Sequence, residues 1–353
     1  MPISRNRRLM PLSTRRVYRL SFTMAISLAV AYGLQFPLPF LAPLFALILG
    51  AKPAPPLGLK GLIGLILIVL ITLGTGLLLT PLLIHYALPT ILVIALCIYL
   101  STYIAIGKGK MLVGLLLTVG VTLITAAGIV EYALAVVVIQ SLALCIALAV
   151  LSQWVVYPWF PENEGGQALE DVQFPSQAQS FWIALRATLI IMPAYLLTLT
   201  NPAMYLPVIM KTVNLAQQSS VLNARNAGKE LLGSTLMGGM LAILFWCALD
   251  LLTNLWMFVL WMLLLGIFIA SKLYQVFPSR YSAEYWQNVG VTMLILLGPA
   301  VEDSANGDDV YAAFMFRMAL FVGVSIYAWL AILALERLRI HRLNRLDLSI
   351  GRR

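Results

Sequence analysis

The chain is divided into apolar runs too long and too numerous for the core of a soluble protein. Runs near 17–36, 39–51, 58–82, 85–106, 111–128 and 132–155 are followed, after a polar break, by runs near 179–199, 202–215, 229–250, 254–276, 287–300 and 310–335. A helix needs roughly 17–25 apolar residues to cross a bilayer, and most of these runs meet that length. With 61% hydrophobic and 10% charged residues among 353, the chain cannot cover a soluble globule with polar surface. Lipid satisfies no backbone groups, so spanning runs of this length fold as helices. The expected fold class is all-α integral membrane with about 12 transmembrane helices. The first run begins near Val17 and many others follow it, which makes it an anchor and not a cleaved leader.

The basic residues give an independent count. Arg5, Arg7, Arg8, Arg15, Arg16 and Arg19 lie at the amino end, and Arg337, Arg339, Arg342, Arg345, Arg352 and Arg353 at the other. With both ends cytoplasmic, the even-numbered loops also face inward and hold Lys52, Lys60, Lys108, Lys110, Lys211, Arg225, Lys229, Lys272 and Arg280. The odd-numbered loops hold no Lys or Arg; they carry Glu131, Asp250 and an acidic loop from Glu302 to Asp309. This is the positive-inside pattern, and it accounts for the net charge of +9 without nucleic acid. The expected localisation is a bacterial inner membrane, crossed many times, with both termini in the cytoplasm.

Residues 1–157 are read as a first six-helix repeat, 158–180 as a cytoplasmic linker, 181–336 as a second six-helix repeat and 337–353 as a basic tail. Val-Gly-Val-Thr occurs at Val119–Thr122 and at Val289–Thr292, in the fifth run of each half. Arg19 and Arg186 open the first runs, Pro43 and Pro207 stand early in the second, and Lys60 and Lys229 open the third. An even number of crossings per half makes the repeats parallel, about an axis along the membrane normal.

Several residues point to chemistry. Gln35-Phe36-Pro37-Leu38-Pro39 and Asn201-Pro202 break the chain between the first and second runs of each half, with Pro43 and Pro207 following, a pattern that marks either a transport site or a tight hairpin. Arg317 follows Asp308 and Asp309 by eight or nine residues, about 12–14 Å into a helix. An unpaired charge at that depth costs about 2.5–3.5 kcal/mol or more. It is either a station for a crossing anion or a tie between helices, through backbone carbonyls or a carboxylate such as Asp250. Arg186, Lys211, Arg225 and Lys229 form a cytoplasmic basic cluster that either gathers anions or orients the chain. Thr122 and Thr292 offer hydroxyls to a neighbouring helix or to a ligand.

There is no Gly-x-x-x-x-Gly-Lys-Ser/Thr loop, His-Glu-x-x-His, Gly-x-Ser-x-Gly or Cys-x-x-Cys. Cys97, Cys145 and Cys247 are scattered through apolar runs without ligand spacing. No catalytic residue, cofactor or metal site is expected.

The basic opening with Arg19-Leu-Ser-Phe, the Pro-broken second run and the stretch from Asn223 to Gly239 resemble the fusaric acid resistance protein-like, or aromatic acid exporter, family. Lys229, Gly233 and then Gly238 or Gly239 carry the most specific part of that likeness. Lacking a large cytoplasmic domain, the chain looks like a compact, membrane-only subfamily of unknown function. The resemblance implies a Gram-negative inner-membrane exporter of small organic, often aromatic, carboxylic anions. It also implies a periplasmic membrane-fusion adaptor and an outer-membrane channel as partners. Plant anion channels of the malate type are more distantly similar and line their pores with basic residues; the first-half counterpart of Arg317 is instead Gln140-Ser141. The alternative from another class is a non-transporting scaffold of an envelope complex, and homo-oligomerisation stays open.

Overall fold

The apolar runs become helices because a backbone without water must bond to itself. A computed structural model describes residues 10–162, 177–218, 224–307 and 309–350, apart from the side chains at 178, 203, 217–218, 224–227 and 339–350. Among the described residues all regular structure is helical. The first set is α1 (Leu12–Gly33), α2 (Leu41–Gly50), α3 (Leu59–His85), α4 (Ala87–Gly107), α5 (Met111–Val130) and α6 (Tyr132–Val156). The second is α7 (Gln177–Thr200), α8 (Pro202–Gln218), α9 (Ala224–Asp250), α10 (Leu255–Leu273), α11 (Ala283–Asn306) and α12 (Val310–Ile350). Inside α5, Gly120–Ile124 forms one π turn. The expected linker falls largely on residues 163–176, outside the described residues.

Eight of these helices, α3 to α7 with α9, α10 and α12, are long and apolar enough to cross a membrane. The others depart for visible reasons. Helix α2 has 10 residues and α8 has 17, while α1 and α11 carry basic or acidic side chains near their ends. Leu78, Leu88, Leu92 and Leu96 stand on outward faces of α3 and α4, as Leu260 and Leu264 do on α10. Apolar surface on that scale suits lipid and not water, so the chain is a multi-pass α-helical membrane protein.

The helices pack in a patterned way. In the first set α1 packs on α2 and α6, α3 on α5 and α6, and α4 on α5. In the second, α7 packs on α8 and α12, α9 on α11 and α12, and α10 on α11. Adding six to each first-set label reproduces the second set. Across the sets, α1 lies along α10 and α4 along α7, while α2 meets α11 and α5 meets α8. Two contacts break the pattern: α8 also reaches α11, with no contact of that extent between α2 and α5, and α5 reaches α7 more weakly, with none of that extent between α11 and α1.

Helix association in lipid depends on close backbone approach, which small residues permit. A Cβ on Gly76 would stand 1.8 Å from the carbonyl oxygen of Gly120, where α3 crosses α5. A Cβ on Gly238 would stand 2.7 Å from Val289 O and from Thr292 Cβ, where α9 crosses α11. Both Val-Gly-Val-Thr runs therefore lie at the corresponding crossing of each set. Thr122 and Thr292 are fully buried, and each donates its hydroxyl to the carbonyl four residues earlier, at 2.7 Å.

Two expectations change. The chain turns at Gln35–Pro39 and at Asn201-Pro202, so α1–α2 and α7–α8 are packed hairpins, while Pro43 and Pro207 lie inside α2 and α8; the first turn uses positive φ at Gln35 and Leu38. Glu302 and Asp303 do not belong to a loop, because α11 continues to Asn306 and ends at a left-handed Gly307. The glycine at that position costs no steric strain and stops the helix there.

Gly76→Ala is expected to lower the detergent unfolding midpoint by several degrees, as overpacking of about 1–3 kcal/mol would. Gly74→Ala, where an added Cβ meets nothing within 4 Å, is expected to leave the midpoint in place. Equal midpoints for the two variants would show that the α3–α5 crossing is not this tight.

Candidate functional site

The contact between α8 and α11 carries the most polar buried cluster of the bundle. Helix α8 places Lys211 and Asn214 three residues apart, and α11 places Asn288 and Thr292 four apart, so each pair shares a helix face. Lys211 Nζ donates to Asn288 Oδ1 at 3.1 Å and to Thr292 Oγ1 at 2.6 Å. Asn214 Nδ2 donates to the same Asn288 Oδ1 at 2.8 Å, and Asn288 Nδ2 donates to Ser234 Oγ on α9. Thr292 accepts from Lys211 while its own proton goes to Asn288 O, so the hydroxyl acts as acceptor and donor at once.

Lys211, Asn288 and Thr292 are each fully buried. An enclosed ammonium costs several kcal/mol, while each hydrogen bond to a charged donor contributes about 1.5–3 kcal/mol. Two such bonds roughly offset the burial and leave the charge itself uncompensated.

The other buried cations differ. Arg19 and Arg186 are the remaining buried basic residues among those described. Arg19 contacts Glu162 at 2.8 Å and lies 5.8 Å from the Tyr157 ring centroid. Arg16 shares the same carboxylate. Burial opposes the charge of Glu162, but hydrogen bonds and charge from Arg16 and Arg19 outweigh it and hold the carboxyl below its usual range. That stabilisation is complete above the ordinary carboxylate pKa and is lost as pH falls through the lowered one. Arg186 contacts Glu336 at 3.6 Å. Each of these arginines joins the first helix of its set to a carboxylate on or just beyond the sixth.

Arg317 forms a two-pronged hydrogen-bonded pair with Asp303, one prong at 3.0 Å, and ties α12 to α11. The carboxylate is thus Asp303 and not Asp250. Lys211 alone among the buried cations has no carboxylate within ion-pairing distance among the described residues.

The structure thus brings Lys211 and Thr292 together and leaves the other candidates elsewhere. Lys211 is not a loop residue, because α8 runs on to Gln218 and carries it inward. Lys229 is exposed on the first turns of α9. Pro43 is buried in α2, and Pro207 is half-buried one turn before Lys211. Thr122 is buried in α5 with no lysine beside it: four residues after Pro43 stands Leu47, where four after Pro207 stands Lys211. The side chain of Arg225 lies outside the described residues. Asn214, Ser234 and Asn288 were not singled out from the sequence. Their signal was available in the one-turn spacing of Asn288 to Thr292 and of Lys211 to Asn214.

Residues 16–156, spanning α1 to α6, match the family described as "Protein of unknown function (DUF2955)". No curated protein and no solved structure matches the chain.

If Arg317 and Asp303 serve each other, Arg317→Gln and Asp303→Asn should each destabilise the detergent-solubilised protein by about 2 kcal/mol. The double variant should be no worse than either single, which a double-mutant cycle of thermal unfolding measures directly. Strict additivity would mean that the pair is not a unit.

Proposed function

We propose that the protein is an inner-membrane exporter of small organic anions, with Lys211 as the charge that receives the anion's carboxylate during crossing. The buried charge of Lys211, which no carboxylate among the described residues neutralises, carries this reading. A cation held inside a membrane bundle is by default a functional group, and one already matched to a protein carboxylate has less to offer a passing anion. Arg317, Arg186 and Arg19 are matched in that way, so the anion station moves from Arg317 to Lys211. Asn288, Asn214 and Thr292 would hold the lysine in place and offer polar contacts to the same ligand.

The wider reading is twelve crossings built as two parallel six-helix repeats, with both termini cytoplasmic. The recurrence of helix contacts under a shift of six supports it, as do the buried Val-Gly-Val-Thr crossings. The family match also ends at residue 156, where the first repeat is expected to end. The eighth helix lies at the junction between repeats, touching α5 of the first and α11 of the second. A transport path at that junction would pass Lys211. The preference for aromatic carboxylates, the periplasmic adaptor and the outer-membrane channel rest on the resemblance to aromatic acid exporters.

Radiolabelled benzoate efflux from proteoliposomes tests the proposal. The wild type should release benzoate well above protein-free vesicles. Lys211→Gln should cut the rate at least about tenfold, the effect of losing some 1.4 kcal/mol of stabilisation. Lys211→Arg should retain part of the flux, and the Asp303→Asn/Arg317→Gln double variant most of it. Wild-type vesicles no leakier than empty ones would end the exporter reading and favour the scaffold. Full flux in Lys211→Gln would remove the lysine from the path.

A further inference from the structure

The end of the bundle that carries Arg16 and Arg19 contains a second feature, separate from Lys211. Helix α2 stops after 10 residues at Gly50, and the chain continues to α3 through Lys52-Pro53-Ala54-Pro55-Pro56-Leu57 without regular structure. Non-helical backbone in a membrane protein persists where protein buries it or where it borders a water-filled space. Here it borders a cavity of about 260 Å³. Helix α8, the matching element, runs 17 residues, and the corresponding cavity beside Arg186 and Glu336 measures only about 20 Å³.

The larger cavity has a basic side and an apolar side. Arg19, Lys52 and Gln153 line the first, and Leu112, Val150 and Pro56 belong to the second. Two observations point to a ligand. The Gln153 amide nitrogen is buried and lacks a hydrogen-bond partner among the described residues, although buried donors are nearly always satisfied. The charges also do not cancel: Arg16 and Arg19 share the single carboxylate of Glu162, and Lys52 adds a further positive charge with no carboxylate in ion-pairing distance among the described residues.

We propose that this cavity binds a small monocarboxylate with an apolar body, its carboxylate between Arg19, Lys52 and Gln153 and its body against Leu112, Val150 and Pro56. The donors suit an anion, and the orphaned amide N–H supplies a hydrogen bond that a carboxylate oxygen accepts. The volume lies below the roughly 300–1,000 Å³ of sites for drug-sized ligands, so a single ring or a short chain fits. As a binding site it stands on this geometry alone. Its role as the cytoplasmic intake of an exporter rests on the function proposed above.

Equilibrium binding of radiolabelled benzoate to the purified, detergent-solubilised full chain tests the site. The wild type should bind saturably, and unlabelled benzoate should displace the label at least tenfold better than benzamide, its neutral analogue. Lys52→Glu, at an exposed position that should not disturb folding, should weaken binding at least tenfold. Gln153→Leu should weaken it several-fold, and Leu112→Trp should abolish it by filling the space. Saturable binding by a wild type that shows no efflux from proteoliposomes would leave this site standing and end the transport reading, which separates the two failures. No saturable binding, equal displacement by benzamide, wild-type binding in Lys52→Glu, or loss of benzoate to added phosphatidylglycerol would each overturn the assignment. The last outcome would make the cavity a lipid-headgroup site.

Discussion

Two backbone crossings hold this bundle at its working distances. Between helices in lipid there is little hydrophobic gain, because the tails they leave are as apolar as their own side chains. What remains is dispersion and polar contact, and both require near contact. The Gly76–Gly120 crossing supplies it for α3 and α5, and the Gly238 crossing with Val289 and Thr292 supplies it for α9 and α11. Gly290 admits Leu47 of α2 against α11, which joins the two sets of helices through the same tetrapeptide. In α5 the π turn begins at the glycine of this motif, while α11 passes the equivalent point as a plain α-helix. π turns cluster where function has altered a helix, and this one falls at the contact with α3.

The same tightness governs the charges. With water excluded, a basic side chain must find a carboxylate, a set of neutral acceptors, or a ligand. Arg19, Arg186 and Arg317 take the first course and become ties between helices. Lys211 takes the second, and its acceptors are amide and hydroxyl groups that leave its charge standing. The distinction lies in partners. The half-buried Arg317 reaches a carboxylate on α11, and the fully buried Lys211 reaches an amide on the same helix.

How far the site could be read from the chain follows from this. Arg317 drew attention because its distance from the acidic residues is a matter of counting along one helix. Its partner Asp303 was assigned to a loop, because the run of apolar residues fades before Glu302 although the helix continues to Asn306. Lys211 is grouped with the loop cations by the charge pattern, although it falls within the short run 202–215 and α8 continues past it to Gln218. Only the approach of α8 to α11 turns Asn288 into the acceptor for a buried lysine.

By itself the sequence determined that this chain lives in lipid, that its regular structure is helical, and where nearly every helix lies. Those properties follow from apolar run length and from backbone groups that must bond locally, both of which are one-dimensional facts. It also marked the Val-Gly-Val-Thr runs as special, since glycine and threonine in an apolar stretch announce contact without naming the neighbour. The tertiary structure alone decided which cations are neutralised, which contacts break the pattern between the two sets of helices, and where a short α2 leaves a cavity. The reason is physical: the cost of a buried charge depends on what lies within a few ångströms across helices, and no spacing along the chain records that distance.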